Sequence, residues 1–227
     1  MINLIFPKTC YVCQKEGEYL CNACFKKFIK VDPVNKCHIC NKESRIGFVH
    51  YDYKELTYLD GVLNLTVYDG LIKKLIYDIK YNYYFSITQS VGKIMADYLK
   101  YYTFNSLNSV FTFVPTSKKK LKTRGFNQSY LLAKEVCKNK SLPLKEVLKK
   151  THNTGAQAKL DKFDRAENLR GAFELVLEFE VKEGVQSIVI VDDVFTTGAT
   201  LNECAKIIKA KFPQVSVFGF VIAKARD

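Results

Sequence analysis

Apolar residues from about Asp60 onward occur in short continuous runs that alternate with runs spaced three or four residues apart. Continuous runs predict strands, and the wider spacing predicts amphipathic helices. The pattern predicts strands at 61–68, 110–114, 187–191 and 215–222, a short apolar run at Val147, and helices at 71–79, 87–101, 127–138 and 199–212. Because strands and helices alternate, we expect an α/β domain with a mostly parallel sheet.

The two ends of the chain differ in composition. Six of the eight cysteines lie in the first forty residues, and the alternating pattern occupies the rest of the chain. We therefore divide the chain into a cysteine-rich zinc-binding module at 1–58 and an α/β domain at 59–227. The length of the second part is sufficient for one domain of that class.

The overall composition is that of a globular protein, with 227 residues of which 48% are hydrophobic and 26% are charged. The longest clean apolar run, 188–191, is far too short to cross a membrane. Pro7 and Cys10 closely follow the apolar residues 2–6, which leaves no room for a signal-peptide core. We therefore expect a cytoplasmic protein without membrane insertion.

The formal net charge of +12 favours anionic partners such as nucleic acid, phosphates or acidic lipid. A lysine-rich proteome would produce the same excess, so the total charge is not specific. One basic cluster stands out, since its members fall within seven residues: Lys118, Lys119, Lys120, Lys122 and Arg124. Charge alone does not decide whether this cluster meets a phosphate ester or a DNA backbone.

The N-terminal cysteines form three C-x-x-C pairs, namely Cys10/Cys13, Cys21/Cys24 and Cys37/Cys40. Two intervening residues let both thiolates of one tight turn bind the same metal ion, and two such pairs complete a tetrahedral zinc site. Disulfides are the alternative, but they are rare among the reduced thiols of the cytoplasm. The first two pairs are the closest in sequence, and we expect them to supply the four zinc ligands.

The third pair, Cys37 and Cys40, is then either spare or half of a second zinc site. His38 and His50 are the nearby candidates to complete such a site, although His38 lies inside the C-x-x-C turn. The remaining cysteines, Cys137 and Cys204, fall in helical stretches and are interpreted as ordinary small side chains.

The segment 188–200 joins an apolar strand to a polar turn. Asp192 and Asp193 stand at the carboxyl end of the strand, which is the functional edge of a parallel sheet. A turn rich in Thr and Gly then opens a helix, so that backbone N–H groups and the positive helix end face a bound phosphate. Gly198 permits close backbone approach, and adjacent carboxylates suit diol hydroxyls or a hydrated Mg²⁺. An ordinary capped turn accounts for one or two of these residues but not for the set.

These residues resemble the phosphoribosyl pyrophosphate signature of type I phosphoribosyltransferases. The resemblance implies that Asp192 and Asp193 face the ribose 2- and 3-hydroxyls. It also implies that the 5-phosphate is held by Thr196, Thr197, Gly198, Ala199 and Thr200. In purine-salvage members, the position of Thr196 carries an aspartate that acts as a base toward the purine, and its absence here counts against purine salvage.

A second segment, Val114 to Lys118, is similar to the pyrophosphate loop of the same family. By this resemblance Thr116, Ser117 and Lys118 bind the substrate, Mg²⁺ is shared between substrate and protein, and Lys118 and Arg124 neutralise the departing pyrophosphate. We favour Lys118 and Arg124 as the cations that face the ligand, with the intervening lysines directed toward solvent or nucleic acid.

One branch of that family, the ComF competence proteins, is similar to nearly the whole chain. The resemblance rests on an N-terminal cysteine module, on the stretch Arg124-Gly125-Phe126-Asn127-Gln128, and on residues that recur in the same order: Lys150, Thr151, Gln157, Leu160, Arg165, Asn168 and Phe173. It differs at one point, since many relatives carry a fourth C-x-x-C pair and this sequence has three.

The resemblance implies two alternative functions. The first is transfer of phosphoribose with pyrophosphate as the leaving group, with the segment of about 150–168 closing as a lid against water. The second is a role in natural transformation, in which the ligand site serves binding or regulation and the protein handles incoming single-stranded DNA with other competence proteins. No residue identifies an acceptor for the transfer reaction.

Overall fold

A four-stranded parallel sheet with the strand order β1-β6-β5-β2 forms the centre of the molecule. The computed structural model describes residues 7–28, 36–82, 84–101, 104, 108–151 and 169–225. The strands are β1 (Gly61–Val67), β2 (Ser109–Phe113), β5 (Ser187–Phe195) and β6 (Ser216–Lys224), and a separate antiparallel hairpin consists of β3 (Leu148–Lys150) and β4 (Phe173–Leu175).

Helices cover the sheet and connect its strands. They are α1 (Asn22–Phe28), α2 (Gly70–Tyr81), α3 (Ile87–Tyr98), α4 (Lys118–Arg124), α5 (Gln128–Lys140) and α6 (Ala199–Lys211). Short 3₁₀ turns lie at Arg45–Gly47, Tyr51–Leu56 and Leu99–Tyr101. Within the described ranges, no helix is both long and apolar enough to cross a bilayer.

Two apolar clusters form the core, one on each face of the sheet. Helices α2, α3 and α5 pack on one face, where Leu75, Met95 and Leu132 meet buried strand residues. Helix α6 and the β3–β4 hairpin pack on the other face, where Ile208 and Leu148 are fully buried. The central strands β5 and β6 are thus covered on both sides, which explains their continuous apolar sequences.

The N-terminal cysteines contribute to this core. Cys10, Leu20 and Cys24 are buried in the same cluster as α2 and α3. The Tyr11 hydroxyl donates a hydrogen bond to the buried Asp78 carboxylate on α2. The cysteine-rich part is therefore anchored on the helical face of the sheet rather than attached through a linker.

The predicted α/β class and the mostly parallel sheet are confirmed, and the principal differences lie at the ends of elements. Strand β5 continues four residues beyond the predicted end at Val191, because β6 pairs with it as far as Phe195. The helix predicted at 87–101 ends at Tyr98 and continues as a 3₁₀ turn. The lid expected at about 150–168 lies outside the described residues, apart from Lys150 and Thr151.

Candidate functional site

The acidic pair lies within β5 rather than after it. Asp192 and Asp193 are both buried, and Asp192 Oδ1 accepts hydrogen bonds from the Ser129 hydroxyl at 2.7 Å and from the Asp193 N–H at 2.9 Å. Burial, followed by the charge of neighbouring Asp193, raises the pKa of Asp192 to about 7. Two adjacent carboxylates held in so little water are a strong acceptor for cations or hydroxyl donors.

Lys80, at the end of α2, faces this pair. Its Nζ lies 2.6 Å from Asp193 Oδ2, and the lysine side chain is 22% exposed. Burial opposes the charged form of the lysine, but the Asp193 carboxylate outweighs it and raises the pKa of Lys80. Lys80 therefore acts as a built-in counterion of the acidic pair.

The turn after β5 has the form expected for a phosphate site. Gly198 adopts a left-handed conformation with φ of +76° and precedes the first residue of α6. The Ala199 N–H is 3.4 Å from the Thr197 hydroxyl, while Thr196 is exposed at the mouth of the turn. The first N–H groups and the positive end of the 13-residue α6 thus lie at the cleft.

The basic cluster forms a short helix, α4, which periodicity did not predict because four of its seven residues are lysines. The Ser117 hydroxyl accepts a hydrogen bond from the Lys120 N–H at its start. Lys120 and Arg124 are one helical turn apart, and both line the cleft. Burial, followed by the charges of nearby Arg124 and Lys80, lowers the pKa of Lys120.

Lys118 differs from its expected position. It is exposed at the first residue of α4 and is not among the residues that line the cleft, whereas Lys119 and Lys120 are. Of the basic cluster, Lys119, Lys120 and Arg124 thus line the cleft, and the contact of Lys118 with the ligand stays a prediction.

The stretch from Arg124 to Gln128 is the connection between α4 and α5. Gly125 ends α4 with φ of +79°, and its N–H donates to the Leu121 carbonyl. Asn127 caps α5, since its Oδ1 accepts from the Ser129 N–H at 3.0 Å while its Nδ2 donates to the Val114 carbonyl at 3.0 Å. This connection places Ser129 under Asp192 and Arg124 at the cleft, and so gives the motif a structural function.

These elements enclose one cleft at the carboxyl edge of the sheet. A cavity of about 740 Å³ is lined by the loop 114–117, α4 and the acidic pair, and one of about 390 Å³ is lined by the turn 196–200, which we call the phosphate turn after its predicted ligand. The two cavities share Lys80, Asp192 and Thr200 among their linings. Lys150 of β3 also lines the larger cavity, and burial, followed by the charge of Lys120, lowers its pKa to about 8.

The predicted zinc ligands come together in the N-terminal part. The Sγ atoms of Cys10, Cys13, Cys21 and Cys24 all lie within 4.8 Å of one another. Cys13 Sγ and Cys21 Sγ are 3.8 Å apart, which fits two vertices of a tetrahedron with metal–sulfur bonds of about 2.3 Å. The donor set therefore fits zinc.

A second cluster consists of Cys37, Cys40 and His50, whose ligand atoms also lie within 4.8 Å of one another. His50 Nδ1 is 3.1 Å from Cys40 Sγ, and its Nε2 is 3.1 Å from the Glu43 carbonyl, an arrangement typical of a metal-bound histidine with an outer partner. Of the two candidate histidines, His50 joins the third cysteine pair, whereas His38 packs at 5.3 Å on the Phe195 ring.

The C-x-x-C turns of the first and third cysteine pairs share backbone features. The Cys10 N–H bonds to the Lys15 carbonyl at 2.8 Å, and the Cys37 N–H bonds to the Lys42 carbonyl at 3.0 Å. A residue with positive φ follows each pair, Gln14 at 60° and Asn41 at 58°. The third cysteine pair is thus shaped as a zinc-binding turn like the first.

The N-terminal part also contacts the phosphate turn. The Asn202 side chain on α6 accepts hydrogen bonds from the Thr57 hydroxyl at 2.8 Å and the Tyr58 N–H at 2.7 Å. Together with the contact of His38 on Phe195, these bonds connect the second cysteine cluster to the elements that hold Gly198. Disorder in this cluster would therefore loosen the elements that position Gly198 in the cleft.

Comparison with known proteins finds one family model and two curated relatives that are similar to this chain. Residues 1–54 match the family model described as "Double zinc ribbon domain". "Competence protein F" of Haemophilus influenzae is 35% identical over 105 residues, which cover 44% of this chain and less than half, 44%, of that relative. "Competence protein ComFC" of Bacillus subtilis is 24% identical over 226 residues, which cover 93% of this chain and 86% of that protein.

Proposed function

This chain is a ComF family protein with an N-terminal zinc module, and we propose that its cleft binds phosphoribosyl pyrophosphate with Mg²⁺ in support of DNA uptake during natural transformation. The observation that carries the proposal is the convergence of three ligand-binding elements on one cleft. These are the buried pair Asp192 and Asp193, the turn at Gly198 before α6, and the cations Lys120 and Arg124.

Each element matches a different part of the ligand. The N–H groups and hydroxyls of 196–200, at the start of α6, would hold the 5-phosphate. The carboxylates of Asp192 and Asp193 would accept hydrogen bonds from the ribose hydroxyls. Loop 114–117, Lys120 and Arg124 lie across the larger cavity, where they would neutralise the pyrophosphate charge. Asp192 and Asp193 would also hold Mg²⁺, which would neutralise part of the pyrophosphate charge.

Isothermal titration calorimetry of the wild-type protein with phosphoribosyl pyrophosphate and Mg²⁺ tests this proposal. Saturable binding at about one ligand per chain supports it, because the chain carries one such cleft among its described residues. Binding no tighter than that of inorganic pyrophosphate contradicts it. Release of pyrophosphate on addition of candidate acceptors would extend the role from binding to phosphoribosyl transfer.

Replacing Gly198 with Val is expected to weaken both the fold and ligand binding. A Cβ at this position would lie 2.8 Å from Phe195 Cε2, and the φ of +76° is unfavourable for any β-branched residue. We expect a loss of about 1–3 kcal/mol in unfolding free energy, with reduced affinity because the turn must shift. The clash is with the protein's own Phe195 ring.

Thermal unfolding and calorimetry of Gly198→Val measure these effects. Gly184→Val is the matched control, since Gly184 has φ of +86° but nothing within 4 Å of an added Cβ. The control should share the backbone strain and keep its ligand affinity. Equal ligand affinity in the two variants would contradict the assignment of Gly198 to the phosphate turn.

The proposed biological role is handling of single-stranded DNA in the cytoplasm together with other competence proteins. It is supported by the names of the two relatives and by the net charge of +12. The exposed lysines Lys73 and Lys74 on α2 and Lys122 on α4 lie on the elements that border the cleft. A DNA strand bound along this border would release counterions, because its phosphates would be neutralised by these lysines.

Affinity for single-stranded DNA is therefore expected to fall steeply with salt. Each lost phosphate contact changes the slope of log K against log salt by about 0.7. The triple variant Lys73→Ala/Lys74→Ala/Lys122→Ala should flatten the slope by about two units, with unchanged binding of phosphoribosyl pyrophosphate. Fluorescence anisotropy at a series of salt concentrations measures the slope.

The matched control is the triple alanine variant of Lys134, Lys138 and Lys140, three exposed lysines on α5. It removes the same charge from another helix and should leave the slope near that of the wild type. If both triple variants flatten the slope equally, binding reflects net charge alone, and the proposed border of α2 and α4 is wrong.

A further inference from the structure

The end of α2 and the residues after it present four large aromatic side chains to solvent. Tyr77, Tyr81, Tyr84 and Phe85 are 55%, 54%, 50% and 49% exposed. We call this set the aromatic strip. Single exposed aromatics are ordinary on protein surfaces, but four within nine residues form a patch of the kind that marks an interaction site.

Neighbouring rings hold the aromatic strip in place. The Tyr77 and Tyr81 rings are 4.8 Å apart, and Phe85 packs at 5.4 Å on Phe126. Tyr84 makes an edge contact at 5.7 Å with Tyr11 of the cysteine-rich part. Because each ring is already ordered by a contact, its side chain loses little further conformational entropy when a ligand stacks on it.

Positive charge lies beside the aromatic strip. The Arg124 guanidinium lies 4.9 Å from the Tyr81 ring centroid, and Arg124 also lines the cleft. Lys73 lies one helical turn before Tyr77 on α2, and Lys122 belongs to the same short helix as Arg124. Surfaces that bind single-stranded nucleic acid combine exposed rings, on which bases stack, with cations that contact the phosphates.

We propose that the aromatic strip binds single-stranded nucleic acid by stacking its unpaired bases, while Lys73, Lys122 and Arg124 contact the phosphates. This inference rests on the proposed role in DNA handling and names the surface that performs it. A duplex is a poor occupant, because its bases are already stacked. Since Tyr77, Tyr81 and Arg124 also line the proposed phosphoribosyl pyrophosphate cleft, the bound strand would pass along its rim.

Two oligonucleotides of equal length test the inference, one of thymidines and one of abasic sites with the same phosphates. Fluorescence anisotropy should show wild-type protein binding the thymidine strand at least about tenfold more tightly, since only that strand can stack. Tyr84→Leu/Phe85→Leu and Tyr77→Leu/Tyr81→Leu should each reduce this preference to about threefold or less. Their salt slopes should match that of the wild type, because the phosphate contacts remain.

Tyr51→Leu/Tyr58→Leu is the matched control, as these two tyrosines are 85% and 47% exposed in another part of the chain. This variant should keep the full preference for the thymidine strand. Tyr84→Leu/Phe85→Leu should also keep wild-type affinity for phosphoribosyl pyrophosphate, since neither residue lines the cleft. The latter measurement confirms that the variant is folded.

The possible failures are distinguishable. Equal binding of both strands by the wild type, or an undiminished preference in both strip variants, overturns the stacking surface while leaving phosphate-driven DNA binding intact. Binding of neither strand overturns the DNA role together with the aromatic strip, whereas calorimetry still decides on the cleft. Tighter binding to anionic lipid vesicles than to the thymidine strand would assign the strip to a membrane surface and overturn the inference.

Discussion

The double variant Asp192→Asn/Asp193→Asn is expected to lose at least about a hundredfold in affinity for phosphoribosyl pyrophosphate. Hydrogen bonds to charged groups contribute about 1.5–3 kcal/mol each, and two are removed at the ribose and metal positions. Asparagine keeps the size of the side chain and the Oδ1 that accepts from Ser129, so the change is chiefly one of charge. Calorimetry with Mg²⁺ present measures the loss.

The matched control is Asp60→Asn. Asp60 also pairs with a lysine, since its Oδ2 lies 2.7 Å from Lys209 Nζ, but it does not line the cleft. This control loses a carboxylate and an ion pair without touching the proposed ligand, and its affinity should equal that of the wild type. Wild-type affinity in the double variant would remove the assignment of the acidic pair to the ligand site.

A second measurement on the single variant Asp192→Asn separates a functional cost from a structural one. The pKa of Asp192 in the fold is raised to about 7 from 3.8, because burial disfavours its charge. Its ionisation therefore destabilises the fold at high pH, and this penalty disappears as the pH falls toward 4. At pH 8 the variant should unfold at a higher temperature than the wild type while binding the ligand more weakly.

Lys80 explains why the protein tolerates two adjacent buried carboxylates without a ligand. Its ammonium, 2.6 Å from Asp193, supplies a compensating positive charge. A ligand that binds at Asp193 must displace or share this ion pair. Lys80 is thus placed to exchange its contact from the carboxylate to a phosphate oxygen when the cleft fills.

The elements of this fold followed closely from local patterns. The continuous run of 187–191 and the helical spacing of Leu201, Ala205 and Ile208 depend on burial alone, and burial is visible in the order of apolar residues. The end of β5 could not be predicted in this way. Asp192 and Asp193 are polar residues that locally favour a turn, and only pairing with β6 keeps them in the strand.

The site was predictable where its residues are consecutive and not where they are distant. Asp192 to Thr200 form one segment, so their spacing carries the chemistry. Lys80 lies far away in the sequence, and its sole signal is its place one turn after the buried Ile76, at the edge of an apolar face. The union of His50 with Cys37 and Cys40 likewise depends on the path of the chain between them.

The largest structural effect is expected from loss of the first zinc site in Cys10→Ser/Cys13→Ser. Cys10 is buried in the core cluster that contains α2 and α3, so the thiolates are part of the domain interior. Structural zinc contributes about 10–16 kcal/mol in small zinc-binding peptides, whereas a whole domain is stable by about 5–15 kcal/mol. The variant should lose the metal and unfold at least the cysteine-rich part.

Metal analysis of protein purified without added metal, combined with thermal unfolding, measures this effect. We propose that the wild type holds about two zinc ions, the second at Cys37, Cys40 and His50. His50→Ala should then retain about one zinc and stay folded, because that cluster is outside the core set of Cys10. Cys137→Ala, which changes a buried cysteine outside both clusters, should keep both ions.

The outcomes assign the ligands unambiguously. A wild type with one zinc that survives in His50→Ala would restrict the metal to the first site. One zinc that is lost in His50→Ala but retained in Cys10→Ser/Cys13→Ser would transfer it to the second site and contradict the predicted ligand set. A fully folded, metal-free wild type would contradict both sites.

Because Asn202 and Phe195 connect the second cluster to the phosphate turn, His50→Ala should also weaken ligand binding, although it lies outside the cleft.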